Sequence, residues 1–236
     1  MNAVPVALLG ASGRLGRLID ERLAERYADR LSVVARLGSS SSAEDLAGAS
    51  IVIDVSLPAG TERLVSWLES SADGPATIVS GTTGLSEDQL ARLQGLGASR
   101  RVLHATNFSS GVAALNHLLR QSAAILKALG YTPVITETHH RHKQDAPSGT
   151  ALTLEKNLAP YDAIDIHSIR AGEVPGTHEV AFFGDDDQLY LRHEARDRGA
   201  FATGAIEAAL WLHALDESAA LFDGDSYFQA RFGEHR

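Results

Sequence analysis

A chain of 236 residues, 44% of them hydrophobic, is long enough to bury one large core or two moderate ones, and two domains are expected at this length. The formal net charge of -9 repels phosphate backbones and argues against nucleic acid as a partner, while the absence of cysteine removes disulfides, thiolate nucleophiles and cysteine-based metal sites. No run of eighteen apolar residues points to a membrane span, and a first strand that passes straight into a glycine turn, in a cysteine-free chain, suggests a cytoplasmic protein.

In chain order, VPVALLG predicts a buried strand over 4–10, GASGRLG a glycine turn, and RLIDERLAERY a helix with Leu15, Ile19, Leu23 and Ala24 on one face. The alternation continues with a strand LSVVA, a polar GSSSSAED link, a strand SIVIDVS, a helix over 58–69 and a strand ATIVSG. Next come a helix SEDQLARLQGL capped by Ser86 and a strand RRVLHA. Strands alternating with helices imply a Rossmann-type, doubly wound parallel sheet. After about residue 105 the pattern changes. A long helix over 110–130 leads to a strand YTPVITETHH, and DAIDIHSIRAG and HEVAFFGDDDQLYLRHEA read as antiparallel strands and hairpins before a last helix, GAIEAALWLHAL. The fold expected is therefore α/β, with a second α+β domain built on an open mixed or antiparallel sheet. Residues 1–106 form the dinucleotide-binding domain, 107–207 the substrate-binding and oligomerisation domain, and 208–236 return to the first.

Gly10, Gly13 and Gly16 follow a strand and open a helix, the context in which such a motif is informative. Gly10 permits the tight turn, Gly13 admits a pyrophosphate to the backbone and Gly16 allows close helix–sheet packing, while the helix N-terminus offers free N–H groups to phosphate. The spacing is GxxGxxG, with Ser12 where the commoner fingerprint has its second glycine. The alternative is a plain strand-to-helix turn. Cofactor choice is set at the end of the second strand, which here reads VVARLGSSSS with no acid before Glu44. Arg36, aided by Ser39 to Ser41, suits a 2′-phosphate, so NADPH is favoured over NADH, the alternative being a solvated surface arginine.

SGTTG after the fourth strand and HATNFSSG after the fifth lie at the carboxyl ends where an open α/β sheet binds ligands. Alone, each is an ordinary turn; together they nominate Thr82, Thr83 and Asn107 as polar contacts and Phe108 as a flank for the nicotinamide ring.

In ETHHRHKQDAPSGTAL, His139, His140, Arg141, His142 and Lys143 stand side by side in an acidic chain. Ser148 is the expected N-cap of a helix beginning SGTAL, and Gly149 lets a ligand reach its first N–H groups. Strand alternation would point His139 and Arg141 one way, with His140 and Lys143 converging on the helix N-terminus. The two carboxylates of a small substrate would then supply the missing negative partners, and a bound dianion would drive His toward the imidazolium that delivers a proton. A metal site on His140 and His142 lacks a third ligand, a merely solvated basic run leaves the DAPSGT bend unexplained, and Ser148 lacks a nucleophile's GxSxG setting.

This stretch is similar to the signature of the dihydrodipicolinate reductase family, the 4-hydroxy-tetrahydrodipicolinate reductases of the diaminopimelate route to lysine. The resemblance extends to the glycine turn, SGTTG, ATNFSSGV and RGAFATGAIEAALWL. It implies His139 as catalytic acid, Lys143 as second catalytic residue, and His140, Gly149, Thr150 and Arg198 as substrate contacts. It also implies that Gly10, Ala11, Ser12, Gly13, Arg14 and Leu15 hold the pyrophosphate. Gly81, Thr82 and Thr83, with Ala105, Thr106, Asn107 and Phe108, would lie around the nicotinamide ribose. The implied reaction is NADPH- or NADH-dependent reduction of a cyclic dicarboxylate, in a homotetramer with no metal. Two departures stand out: the chain keeps only Arg36 of the family's Glu-Arg pair, and Thr106 replaces a smaller residue. The rival reading is a non-catalytic dinucleotide-binding sensor on the same fold.

Overall fold

The computed structural model describes residues 3–71 and 73–233. The elements run β1 (Val4–Leu9), α1 (Arg14–Arg26), β2 (Leu31–Leu37), β3 (Ile51–Asp54), α2 (Pro58–Ser70), β4 (Thr77–Ser80), α3 (Glu87–Gly95), β5 (Arg101–His104), α4 (Ser110–Ala128), β6 (Thr132–His139), α5 (Gly149–Asn157), β7 (Asp165–Arg170), β8 (Thr177–Phe183), β9 (Gln188–Glu194), α6 (Gly199–His213), β10 (Ala220–Asp223) and α7 (Gly224–Phe232). They form two compact units, one of Met1–Phe108 with Phe201–Arg236 and one of Ser109–Ala200.

The first unit is built on a six-stranded parallel sheet in the order β10-β5-β4-β3-β1-β2. Its inner strands β1, β3 and β4 are buried on both faces because both are covered, whereas the edge strands β2 and β10 alternate. Val6 and Leu8 of β1 face Ile19 and Leu23 of α1 and the alanine-rich side of α6, whereas Ala7 and Leu9 face Leu64, Val65 and Leu68 of α2 and Leu93 of α3. Ser86 caps α3 by accepting from the Gln89 N–H, as its sequence predicts. The order reverses at β1, whose neighbours are β2 and β3, and this topological switch places the Gly10 turn and the β3–α2 turn side by side at the carboxyl ends.

The second unit has a four-stranded sheet, β7-β6-β8-β9, with α4 and α5 on one face over Ile135, Val180 and Phe182. β7 was expected to be antiparallel. It instead pairs parallel with β6, because α5 carries the chain back to the end where β6 began; β8 alone runs the other way, antiparallel to both β6 and β9.

Three further differences concern the C-terminal part. α6 starts at Gly199 instead of Gly204, and it is not the last element: β10 and α7 follow. β10 adds a sixth strand, held by Trp211, whose ring lies 4.9 Å from Phe222 and 5.0 Å from Tyr227. The sequence predicts joins between domains at 107 and 208. Contacts place them after Phe108 and before Phe201, since Ala202, Ala205 and Ile206 are already buried in the first core. Among the described residues no helix is long and apolar enough to cross a membrane.

Candidate functional site

In the first unit the turn after β1 is shaped by its glycines. Gly10 has φ +86°, a conformation that disfavours a side chain, and a Cβ there would meet the Val55 carbonyl at 2.7 Å. A Cβ on Gly16 would fall 2.1 Å from the Gly10 carbonyl oxygen, so α1 can approach the turn only because this position is bare. Gly13 is the N-cap of α1 and supplies no side-chain cap, and Ser12, Gly13 and Arg14 are exposed, with Ala11 and Leu15 half-buried. The helix therefore begins without a side-chain cap on its first N–H groups, the chemistry a pyrophosphate requires.

The other two segments form a rigid floor. Gly81 donates its N–H to the Asp54 carbonyl at 2.7 Å, and Ala105 donates to the Ser80 carbonyl at 3.0 Å. Asp54, fully buried, accepts from Thr61 Oγ1 and Ser56 Oγ at 2.6 Å and from Ser80 Oγ at 3.2 Å, tying the ends of β3 and β4 together. Thr82 is 1% exposed, yet its Oγ1 has no hydrogen-bond partner, an orphaned polar atom that suits a bound carboxamide or ribose hydroxyl. Thr83 and Thr106 are exposed and Asn107 is half-buried. Phe108 lies in the core, its ring 2.9 Å from where a Gly81 Cβ would stand. The glycine cradle and this unsatisfied hydroxyl fit a pyridine dinucleotide.

Arg36, at the end of β2, grips Asp20 with two hydrogen bonds of 2.8 Å. This pairing is not legible in the local pattern, because Asp20 lies on α1. A second cation is also present there: Arg63 of α2 donates to the Gly38 and Ser39 carbonyls at 3.2 Å.

In the second unit β6 ends at His139, and its inward positions are Pro133, Ile135, Glu137 and His139. The strand alternation assumed from sequence therefore stops before Arg141. Arg141 is exposed and lies 3.7 Å from Glu173, as His142 does at 3.9 Å, while His140 is 9% exposed. The absence of negative partners was likewise wrong: Lys143 pairs with Asp145 at 2.8 Å, and His139 Nδ1 hydrogen-bonds Glu137. The protein itself neutralises much of the basic run, through acids the local pattern does not single out.

Glu137 is the hub. Fully buried, it accepts from His139, from Arg170 at 2.7 Å and from the Ser148 N–H at 3.3 Å. Burial would raise its pKa, but hydrogen bonds from Arg170, Ser168 and His139 prevail and hold it at about 2. As an ionised carboxylate it can only accept, so His139 Nδ1 carries the shared hydrogen and Nε2 is left for chemistry. Burial lowers the His139 pKa, Glu137 opposes this, and Lys143 and Arg170 add to the lowering. His178, edge-on to His139 with centroids 5.0 Å apart, is pushed down to about 3 by burial and by the His139 charge, and is neutral.

Ser148 caps α5 as expected, accepting from the Ala151 N–H at 3.2 Å. A Cβ on Gly149 would meet nothing within 4 Å, so the backbone at the start of α5 is uncrowded there, and Thr150, half-buried, follows it. Arg198 is half-buried in the turn before α6. Among the described residues no group of three or more metal-ligating side chains is assembled.

The family model described as dihydrodipicolinate reductase, N-terminus, matches residues 4–108, and that described as its C-terminus matches 111–224. The 4-hydroxy-tetrahydrodipicolinate reductase of Campylobacter jejuni is 35% identical over 89% of this chain and 93% of its own. That of Sulfurimonas denitrificans is 37% identical with the same coverage. A solved structure titled dipicolinate-bound dihydrodipicolinate reductase, from Paenisporosarcina sp. TG-14, has a TM-score of 0.73 at 20% identity, covering 94% of this chain and 98% of that one, and shares the fold. A carboxylate-fixed histidine beside an uncrowded helix N-terminus, and a glycine cradle on the other unit, are thus found in a chain that belongs to the dihydrodipicolinate reductase family.

Proposed function

We propose that this chain reduces the dehydrated form of 4-hydroxy-tetrahydrodipicolinate to tetrahydrodipicolinate, in lysine and diaminopimelate biosynthesis, with NADPH preferred over NADH. The observation that carries the reading is the fixed His139, with Nδ1 committed to Glu137 and Nε2 free to bear a proton, on the same small unit as Lys143 and the uncrowded start of α5.

When bound, the reduced pyridine nucleotide supplies the hydride. Gly10 to Leu15 would hold its pyrophosphate, and Gly81 to Thr83 with Ala105 to Phe108 its nicotinamide ribose. The N–H groups of Gly149 and Thr150, with His140 and Arg198, bind the substrate carboxylates. Lys143 exchanges Asp145 for substrate charge. The dianion raises the depressed His139 pKa, and the imidazolium delivers its Nε2 proton to the ring carbon beside the one reduced. A sensor without catalysis would have no use for the His139–Glu137 pair.

Preference for NADPH rests on Arg36, which must trade Asp20 for the 2′-phosphate. The chain is a homotetramer in this reading, supported by the second sheet's uncovered face, where Ile169, Phe183 and Tyr190 are exposed. Calorimetric titration with pyridine-2,6-dicarboxylate tests the substrate site: saturable binding weakened by Lys143→Ala is expected, and no binding to the wild type would refute it.

A further inference from the structure

We propose that Glu137 is a positioning residue for the reduction, one carboxylate that sets both the tautomer of His139 and the placement of the α5 N-terminus. The inference rests on the reading of His139 as the acid. Its two oxygens are divided between the two tasks: Oε2 takes the His139 Nδ1 hydrogen, and Oε1 takes the Ser148 N–H at 3.3 Å and the Arg170 guanidinium at 2.7 Å. Ser148 is the cap from which Gly149 and Thr150 follow, so the proton carrier and the anion-binding turn share one rigid reference. A fully buried carboxylate is costly unless each oxygen is satisfied, which makes this arrangement a selective one.

The network extends to the second catalytic candidate. Arg170 also donates to the Asp145 carbonyl at 2.5 Å, and the Asp145 carboxylate holds Lys143 at 2.8 Å. On its other side His139 presents Nε2 to Gly176, where a Cβ would lie only 3.1 Å away. The backbone next to the proton-carrying atom is bare, while the opposite nitrogen is locked. The charged or titratable groups around the ring are Glu137 on its own strand, Arg170 on β7, His178 on β8 and Lys143 in the following turn.

Glu137→Gln keeps the shape and removes the charge. Because His139 acts as an acid, activity is lost as pH rises through its pKa, and without the Glu137 charge that loss begins at lower pH. The expected result is a kcat about 10- to 100-fold lower with its basic limb moved to lower pH, and dissociation constants for NADPH within about 3-fold of wild type. An unchanged kcat and limb, or a lower kcat with an unmoved limb, would overturn the proposal. Nitrogen NMR of His139 in the wild-type protein decides the matter even if the variant does not fold. The neutral ring carrying its hydrogen on Nδ1 supports the assignment, and a hydrogen on Nε2 overturns it. An inactive wild-type protein would instead count against the proposed reaction, leaving the tautomer measurement intact as a test of Glu137.

Discussion

Gly16 stands so close to Gly10 that a Cβ on the former would lie 2.1 Å from the carbonyl oxygen of the latter. This contact is between backbones, so no side-chain rotation relieves it. Gly16→Ala should push α1 off the turn, lowering stability by about 1–3 kcal/mol and weakening NADPH binding by about 10-fold or more. Thermal unfolding and a nucleotide titration measure both effects; a variant with wild-type affinity would remove the turn from the nucleotide site.

The two hydrogen bonds from Arg36 to Asp20 make cofactor choice a competition between a carboxylate and a 2′-phosphate. Arg36→Ala should weaken NADPH binding more than NADH binding, by about 10-fold in the ratio of dissociation constants, the loss of one charge-assisted contact. If the ratio does not change, Arg36 plays no part in discrimination, and Arg63 becomes the cation to vary.

Lys143, paired with Asp145 across 2.8 Å, has to be released before it can meet substrate. Lys143→Ala should lower kcat/KM by about 100-fold while leaving the nucleotide dissociation constant alone. Steady-state kinetics at saturating NADPH would expose the error if both kcat and KM stayed at wild-type values.

Acid should destabilise the protein through two groups with different windows. His178 is 2% exposed, and its pKa falls from 6.5 to about 3 on folding, so the unfolded chain takes up the proton first. Stability then decreases as pH drops below about 6.5, by up to about 1.4 kcal/mol per pH unit from this group. Glu137 acts lower: its folded pKa of about 2 against 4.5 unfolded gives stability that is full above about pH 4.5 and lost as pH falls through about 2. Denaturant titrations between pH 7 and pH 4 should show a shallower slope for His178→Phe; a slope equal to wild type would mean that His178 is not neutral in the native state.

Much of this was legible in the sequence. The inner strands of the parallel sheet are buried on both faces, and the glycines of the first turn sit between a strand and a helix, so both signals are local. Ser86 and Ser148 announced their helices for the same reason. What the sequence concealed depends on distant partners. Glu137 stands two residues before His139, which places both on one strand face, but only Arg170 and Ser148, brought in by β7 and α5, show that it is a buried hub. Glu173 and Asp20 likewise neutralise Arg141 and Arg36 across turns that no spacing rule connects. β10 escaped notice because ALFD is four residues long, with an alternation too short to read, and its place is secured by the aromatic contacts of Trp211.

The central claim is that His139 delivers the proton in a nicotinamide-dependent reduction, and the most direct measurement follows the absorbance of NADPH with enzymatically generated substrate for the wild-type protein and for His139→Gln. The account predicts substrate-dependent oxidation of NADPH by the wild type and a kcat reduced by about 100-fold or more in the variant, with the NADPH dissociation constant nearly unchanged. Turnover by the variant close to that of the wild type, or no substrate-dependent oxidation by the wild type, would contradict it.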